Sequence, residues 1–411
     1  MTHAPDRACL PAHARVVADD DVWMESEGIH QLARVAAFPG CIRAAGMPDL
    51  HAGRGIPVGA VFAFTDRVRP ALVGGDAGCG VRMVATTIDR GSADALERRV
   101  TRALDDDPLA DCDRAALFEA VWRGGVRGLA DLEGVPEALA RLASLEAPDA
   151  LGPSGDPDPY RGGFEEQLGS AGGGNHFVEI TRVGTVRDAE AAEAMGLSRG
   201  RVAVLAHSGS RGLGGAIARR WGDVELMGEA LDRYLGDLAG ACRFARVNRF
   251  VLAYRMLRAL GAASEADIAS RFDLTHNDVV RETVGGAPAW IHRKGAAPAR
   301  LGEPTVVLGS RGAPSHVLAP TGSEEGLRSV AHGAGRRMGR SEARAKIKAR
   351  YARAELSRTP IGGRVICDDP DLLYEEHPDA YKPIAPVVES LVAAGLATPV
   401  AELLPVLTVK R

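Results

Sequence analysis

A chain of 411 residues, 45% of them apolar, can bury a substantial core, and its length fits two or three domains or one large α/β unit. A net charge of −4 excludes an overall basic footprint, so any nucleic-acid surface must be a local patch. No apolar run follows Met1 or approaches the roughly 18 residues of a membrane span, and the six cysteines show no CxxC or disulfide spacing, so a cytoplasmic location is expected.

Residues 1–30 are polar and mixed, with a short helix expected from Asp21. The stretch Met47-Pro48-Asp49-Leu50-His51-Ala52-Gly53 leads into the apolar run 58–64, an expected buried strand. His51 lies in the turn between them, where it either bonds backbone or lines a site. Ala71-Leu72-Val73 is expected as a short strand entering a glycine-rich loop that holds Asp76 and Cys79. Glycines 75, 78 and 80 let that loop aim both side chains at one point. A carboxylate and a thiolate suit Mn²⁺, Fe²⁺, Co²⁺ or Zn²⁺ better than Mg²⁺; taken alone, Cys79 reads more readily as a small buried hydrophobe.

Residues 90–150 carry helical periodicity with an Asp-rich turn at 105–107. The Pro-, Gly-, Asp- and Ser-rich stretch 147–163 is expected to be a linker, surface loop or mobile lid. Three glycines then precede Asn175-His176 and a strand-like alternation, which marks backbone pressed against a ligand. The apolar run 202–206 delivers His207-Ser208-Gly209-Ser210-Arg211-Gly212 into a helix expected from Ala216. Strand, glycine-rich loop and helix together cradle phosphate on backbone N–H groups, although neither a Walker A sequence nor GxGxxG is present.

A long helix is expected over 226–260, where Arg243, Arg246, Arg249, Arg255 and Arg258 suggest a basic, solvated face. His276 follows, then a strand ending in His292-Arg293-Lys294-Gly295, whose positive charge suits phosphate. Another strand, 306–308, ends in Gly309-Ser310. His332-Gly333-Ala334-Gly335-Arg336 sets an imidazole at the mouth of a flexible turn with bare N–H groups and a guanidinium, a potential nucleophile beside an anion cradle. The helix expected over 336–358 holds nine Lys/Arg against two Glu, a natural partner for an RNA backbone. A last helix is expected near 384–395.

Together these blocks, with Gly174-Asn175-His176-Phe177-x-Glu179 and Ala380-Tyr381-Lys382, resemble the RtcB family of RNA ligases from Met47 to Lys410. The resemblance implies one large mixed α/β domain over 1–411, with central sheets, flanking helices and a loop-lined metal and nucleotide cleft. It implies a GTP-dependent enzyme that uses two Mn²⁺ ions. Such an enzyme joins RNA 3′-phosphate or 2′,3′-cyclic phosphate ends to 5′-hydroxyl ends, in RNA repair or tRNA splicing. On this match His332 is the residue that takes GMP, and Asp76, Cys79, His176, His207 and His276 hold the metals, with Cys79 bridging. Asn175, Arg211 and Arg336 hold phosphates beside Gly333, Ala334 and Gly335, and Lys294 lies near the metals. Phe177, Glu179, Ser315, Tyr381 and Lys410 form the guanine pocket, with Ser310 close by. An archease-type activator is the protein partner such a family suggests.

The sequence departs from the family at Gly78, where Asn is usual, and at Arg311, Ala313 and His316, where Met, Thr and Tyr are common. It is also shorter, which points to a divergent branch. Two rival readings are an RNA phosphodiesterase that hydrolyses cyclic phosphate without sealing and a non-catalytic RNA-binding homologue. Neither needs a guanylylated histidine.

Overall fold

Glycine-punctuated apolar strands fold into two principal sheets around one long buried helix, a mixed α/β domain as expected. The computed structural model describes residues 7–19, 22–89 and 93–410, so the helix expected from Asp21 begins outside them. The strands are β1 (Ala14–Val16), β2 (Cys41–His51), β3 (Val58–Phe64), β4 (Gly80–Thr86), β5 (Phe177–Val186), β6 (Val202–Ser208), β7 (Ile268–Thr275), β8 (Asn277–Val284), β9 (Ala287–Lys294), β10 (Ala296–Pro298), β11 (Thr305–Val307), β12 (Ser315–Pro320), β13 (Ser329–Ala331), β14 (Arg364–Cys367) and β15 (Ala397–Lys410). The helices are α1 (Ser26–Ala36), α2 (Ala93–Asp105), α3 (Arg114–Gly124), α4 (Glu137–Ser144), α5 (Ala189–Ala194), α6 (Gly212–Trp221), α7 (Gly228–Leu260), α8 (Arg340–Lys348), α9 (Pro370–Glu375) and α10 (Ile384–Ala393).

One sheet runs β1-β2-β3-β9-β8; the larger runs β11-β12-β15-β5-β6-β4-β7, with β14 added to β15. Strands β7 and β8 belong to different sheets yet are separated by His276 alone. That histidine therefore sits at the corner where the sheets meet.

Helix α7 runs 33 residues and is buried along most of its length, with Arg243 and Arg249 among its buried residues. The basic solvated face expected for it is absent. Arg243 binds Asp149 and the carbonyls of Leu151 and Gly152. Arg249, fully buried, binds Asp273 and the carbonyls of Gly78 and Ser208. Arg255 and Arg258 clamp the end of α2 through the Ala103 and Leu104 carbonyls and Asp106. These arginines tie loops to the core.

Four other expectations change. Residues 70–72 form a 3₁₀ turn, since Pro70 presets its φ at the first position of the turn. Helix α6 starts at Gly212, four residues before Ala216. The 336–358 stretch is helical only over Arg340–Lys348. Part of its positive charge is paired: Arg336 with Glu376, Arg344 with Asp371 and Arg350 with Asp379. The 147–163 segment is irregular, as expected, but pinned by Arg243, by Trp122 Nε1–H donating to Gly155 O (2.7 Å), and by Tyr160 donating to Asp237. None of its residues lines the cleft described next.

Candidate active site

Strand register assembles the cluster. Phe177 pairs with His207, and His207 with Val81, while Gly80 pairs with Thr275. His176, His207, Cys79 and His276 are thereby delivered to one end of four adjacent strands. Cys79 Sγ lies 3.2 Å from His176 Nε2, 3.5 Å from His207 Nε2 and 3.3 Å from His276 Nε2. Asp76 Oδ2 is 3.3 Å from His176 Nε2.

The loop is fixed from behind. Asn277 Nδ2 donates to Asp76 O, Gly78 N–H donates to Asn277 O, and Arg249 holds Gly78 O. Gly78 has φ +74°, and a Cβ there would come within 2.9 Å of the Cys242 backbone on α7. Both Asn and Gly tolerate this left-handed conformation. Here the close approach of α7 accounts for Gly standing where the family usually carries Asn.

Burial and neighbouring Asp76 push the Cys79 thiol up, and burial pushes His207 and His276 down, so both imidazoles are neutral. Burial raises the Asp76 carboxyl, but His176, and then Lys294, hold it well below the usual range. Thiol, neutral imidazoles and carboxylate crowded together are a divalent-cation donor set, and Cys79, His176 and His207 converge closely enough to hold one ion.

His332 follows β13, and its ring centroid is 4.9 Å from that of His276. Its Nδ1 is 2.7 Å from Oδ2 of the fully buried Asp49, at an angle short of a well-formed hydrogen bond. Gly335, at φ +72°, lets the turn close on Asp49, whose carbonyl a Cβ would meet at 2.4 Å. The Gly333-Ala334-Gly335 turn and Arg336 line the cleft as expected. The Arg336 guanidinium is already engaged, donating to Met338 O, Glu376 and Glu375 O.

At the other end, Asn175, Phe177, Glu179, Ser310, Tyr381 and Lys410 line the same cleft. His176 precedes β5 rather than belonging to it, so it escapes the strand's alternation, while Phe177 and Glu179 share a face. Burial pushes the Glu179 carboxyl up to about 8, against the pull of the Thr408 hydroxyl that donates to it and of Lys410. Lys410, lowered by burial to about 8, donates to the carbonyls of Gly174 and His176. Tyr381 donates to Glu376. Lys294 Nζ donates to Val73 O (2.5 Å) and faces Asp76.

Three expected residues lie off the cleft lining: His176, which meets the cluster through Cys79 and Asp76, Ser315 and Arg211. Ser315 is buried and accepts from Gly309 N–H, which shapes the Ser310 loop. Arg211 has φ +57°, with Nη1 3.4 Å from His176 Nδ1 and Nε 3.3 Å from Ser170 Oγ. The divergent Arg311 is buried and ties the same loop to α9 through Leu373 O.

Asp49 and Glu376 received no role from the sequence. Asp49 had a signal, a carboxylate flanked by apolar residues and a histidine; Glu376 had none.

Similarity to known proteins places the chain among RNA ligases. A family model described as tRNA-splicing ligase RtcB matches residues 31–228 and 223–411. The RNA-splicing ligase RtcB2 of Escherichia coli is 40% identical over 404 residues, covering 96% of this chain and 95% of that protein. The RNA-splicing ligase RtcB of Mycobacterium bovis is 33% identical, covering 92% of this chain and all of that protein. An Entamoeba histolytica RNA-splicing ligase RtcB homolog 1 is 30% identical over 94% of the chain and 84% of its own length. The chain belongs to the RtcB family.

Proposed function

We propose that this protein joins RNA ends carrying a 3′-phosphate or 2′,3′-cyclic phosphate to 5′-hydroxyl ends, using GTP and two Mn²⁺ ions. The observation that carries this reading is His332 itself. An acceptor-only carboxylate beside Nδ1 keeps the ring proton there and leaves Nε2 as a bare lone pair. That is the state of a nucleophile for the α-phosphate of GTP.

Asp76, Cys79, His176, His207 and His276 would hold the metals, which when bound neutralise phosphate oxygens and orient the displaced group. This chain's own groups do the rest. Asp49 orients His332 and stabilises the charge its ring gains. Asn175, Arg211, Lys294, Arg336 and the 333–335 turn hold phosphates, with Arg211 and Arg336 rearranging from their present partners. Phe177, Tyr381, Ser310 and Lys410 enclose the base, with Ser315 supporting the loop. Glu179, once guanine draws off the proton that burial favours, accepts from guanine N1–H and its amino group, an arrangement adenine cannot match.

The test mixes a 3′-phosphate RNA and a 5′-hydroxyl RNA with the protein, Mn²⁺ and either GTP or ATP. Sealing with GTP alone is expected. Sealing without any nucleotide, or release of the cyclic phosphate with no joined product, contradicts the reading.

A further inference from the structure

Two imidazoles outside the Cys79 cluster face the cleft, those of His332 and His51. Asp49 contacts both, through different atoms. Its carboxylate approaches His332 Nδ1, while its backbone carbonyl lies 2.8 Å from His51 Nδ1. A carbonyl only accepts, so His51 carries its ring proton on Nδ1, and Nε2 of the neutral ring is a free lone pair. The ring makes no other hydrogen bond within the described residues. Burial keeps it neutral, lowering its pKa to about 4.

The carboxylates that line the cleft are committed. Glu376 accepts from Arg336 and Tyr381, Asp76 faces His176, and Glu179 accepts from Thr408. Sealing needs an acceptor that is not committed, because a hydroxyl attacking phosphorus must give up its proton.

We propose that His51 Nε2 is a further catalytic group, accepting the proton of the attacking RNA 5′-hydroxyl. This rests on the ligase reading above. The O5′–P bond forms at the 3′-terminal phosphate as the P–O bond to guanylate breaks. GMP leaves, and the O5′ proton moves to His51 Nε2 and from there to solvent. Asp49 thereby sets the tautomer of two histidines, one for the first step of the reaction and one for the last.

The experiment uses Mn²⁺-loaded protein and RNA whose 3′ end already carries pp-5′-G, mixed with 5′-hydroxyl RNA and quenched over time. His51→Asn keeps a donor at the Nδ1 position and removes Nε2; His51→Gln keeps a polar group at the Nε2 position without its basicity. Both are expected to seal about a hundredfold or more slowly than wild type. Protein–GMP formation from GTP and Mn²⁺ content should stay near wild-type levels. His332→Ala, given the same activated RNA, should still seal.

Wild-type sealing by either His51 variant overturns the proposal. So does an equal loss of protein–GMP formation, which places His51 in the first step, or failure of His332→Ala to seal, which assigns the proton to His332. Absence of both adduct and sealing in the wild type is instead the failure of the ligase reading.

Discussion

In the groove between α7, the 145–153 segment and strands β7 and β8, buried cations meet anions. Arg82 and Arg271 share Glu146, Arg243 takes Asp149, and Arg293 and Arg300 share Glu282. In the reaction cleft, donors of metal-ligand type face one another instead: a thiol, three imidazole nitrogens and a carboxylate, with Lys294 as the nearby cation. Opposite charges paired in a groove hold loops down and ask for nothing more. Lone pairs crowded onto one another ask for a cation, and that distinguishes chemistry from scaffolding where the amount of buried charge does not.

The comparison breaks most sharply at Cys79. Cys79→Ala is expected to lower Mn²⁺ stoichiometry and to stop guanylylation and sealing, by more than about a thousandfold, since this thiolate would serve both metal ions. Metal analysis by mass spectrometry and a labelling assay check this; unchanged occupancy with normal labelling would make Cys79 a core residue.

Glu146→Ala should act on the other region and on stability alone. Burial raises this carboxyl, but Arg82, and then Arg271, hold it below the usual range. Removing it strands the buried Arg82, at a cost of about 3–5 kcal/mol. Denaturant unfolding measures the loss, and the surviving folded fraction should guanylylate normally. The sign for wild type follows: a depressed carboxyl contributes stability above its unfolded pKa near 4.5, lost as pH falls through the folded value.

Between these lies Asp49→Asn, which keeps the shape and removes the acceptor-only carboxylate. Guanylylation should slow by at least roughly 10–100-fold, the scale on which losing the partner that orients a histidine is felt. Mn²⁺ content should not change. A variant labelled at the wild-type rate would detach Asp49 from His332.

The smallest effect sharpens the base end. Glu179, with its pKa raised from 4.5 to about 8, holds a proton in the folded protein that the unfolded chain has lost. Stability therefore falls as pH rises between those values. Thr408 and Lys410 are the polar groups facing it. Glu179→Gln should flatten that slope, raising Tm relative to wild type increasingly from pH 5 to 8, by about 1–2 °C for each kcal/mol in a chain this long. Parallel Tm profiles would show the carboxyl ionised throughout.

Much of the site was legible because its residues stand beside glycines at strand ends, where local patterns speak. His276 was visible as a residue; its place at the corner of two sheets was not, because that depends on β7 and β8 choosing different partners. Strand β15 passed unnoticed although it reaches Lys410. Pro405 argues against a central strand, and the structure accommodates it at a register shift between Pro405 and Leu407. In both long basic stretches the sequence hid the partners. The arginines of α7 and of 336–358 find their carboxylates and carbonyls far away in sequence, at Asp149, Asp273 and 371–379, pairings no local window contains. Glu376 was hidden for the same reason, since only the fold brings Arg336 and Tyr381 to it.

The central claim is that His332 becomes covalently guanylylated in this cleft. Wild-type protein incubated with α-labelled GTP and Mn²⁺ should carry label on His332, lose it on addition of 3′-phosphate RNA, and release labelled GMP as the RNA seals; His332→Ala should take up none. Undiminished label on His332→Ala, or label mapping to another residue, would contradict it.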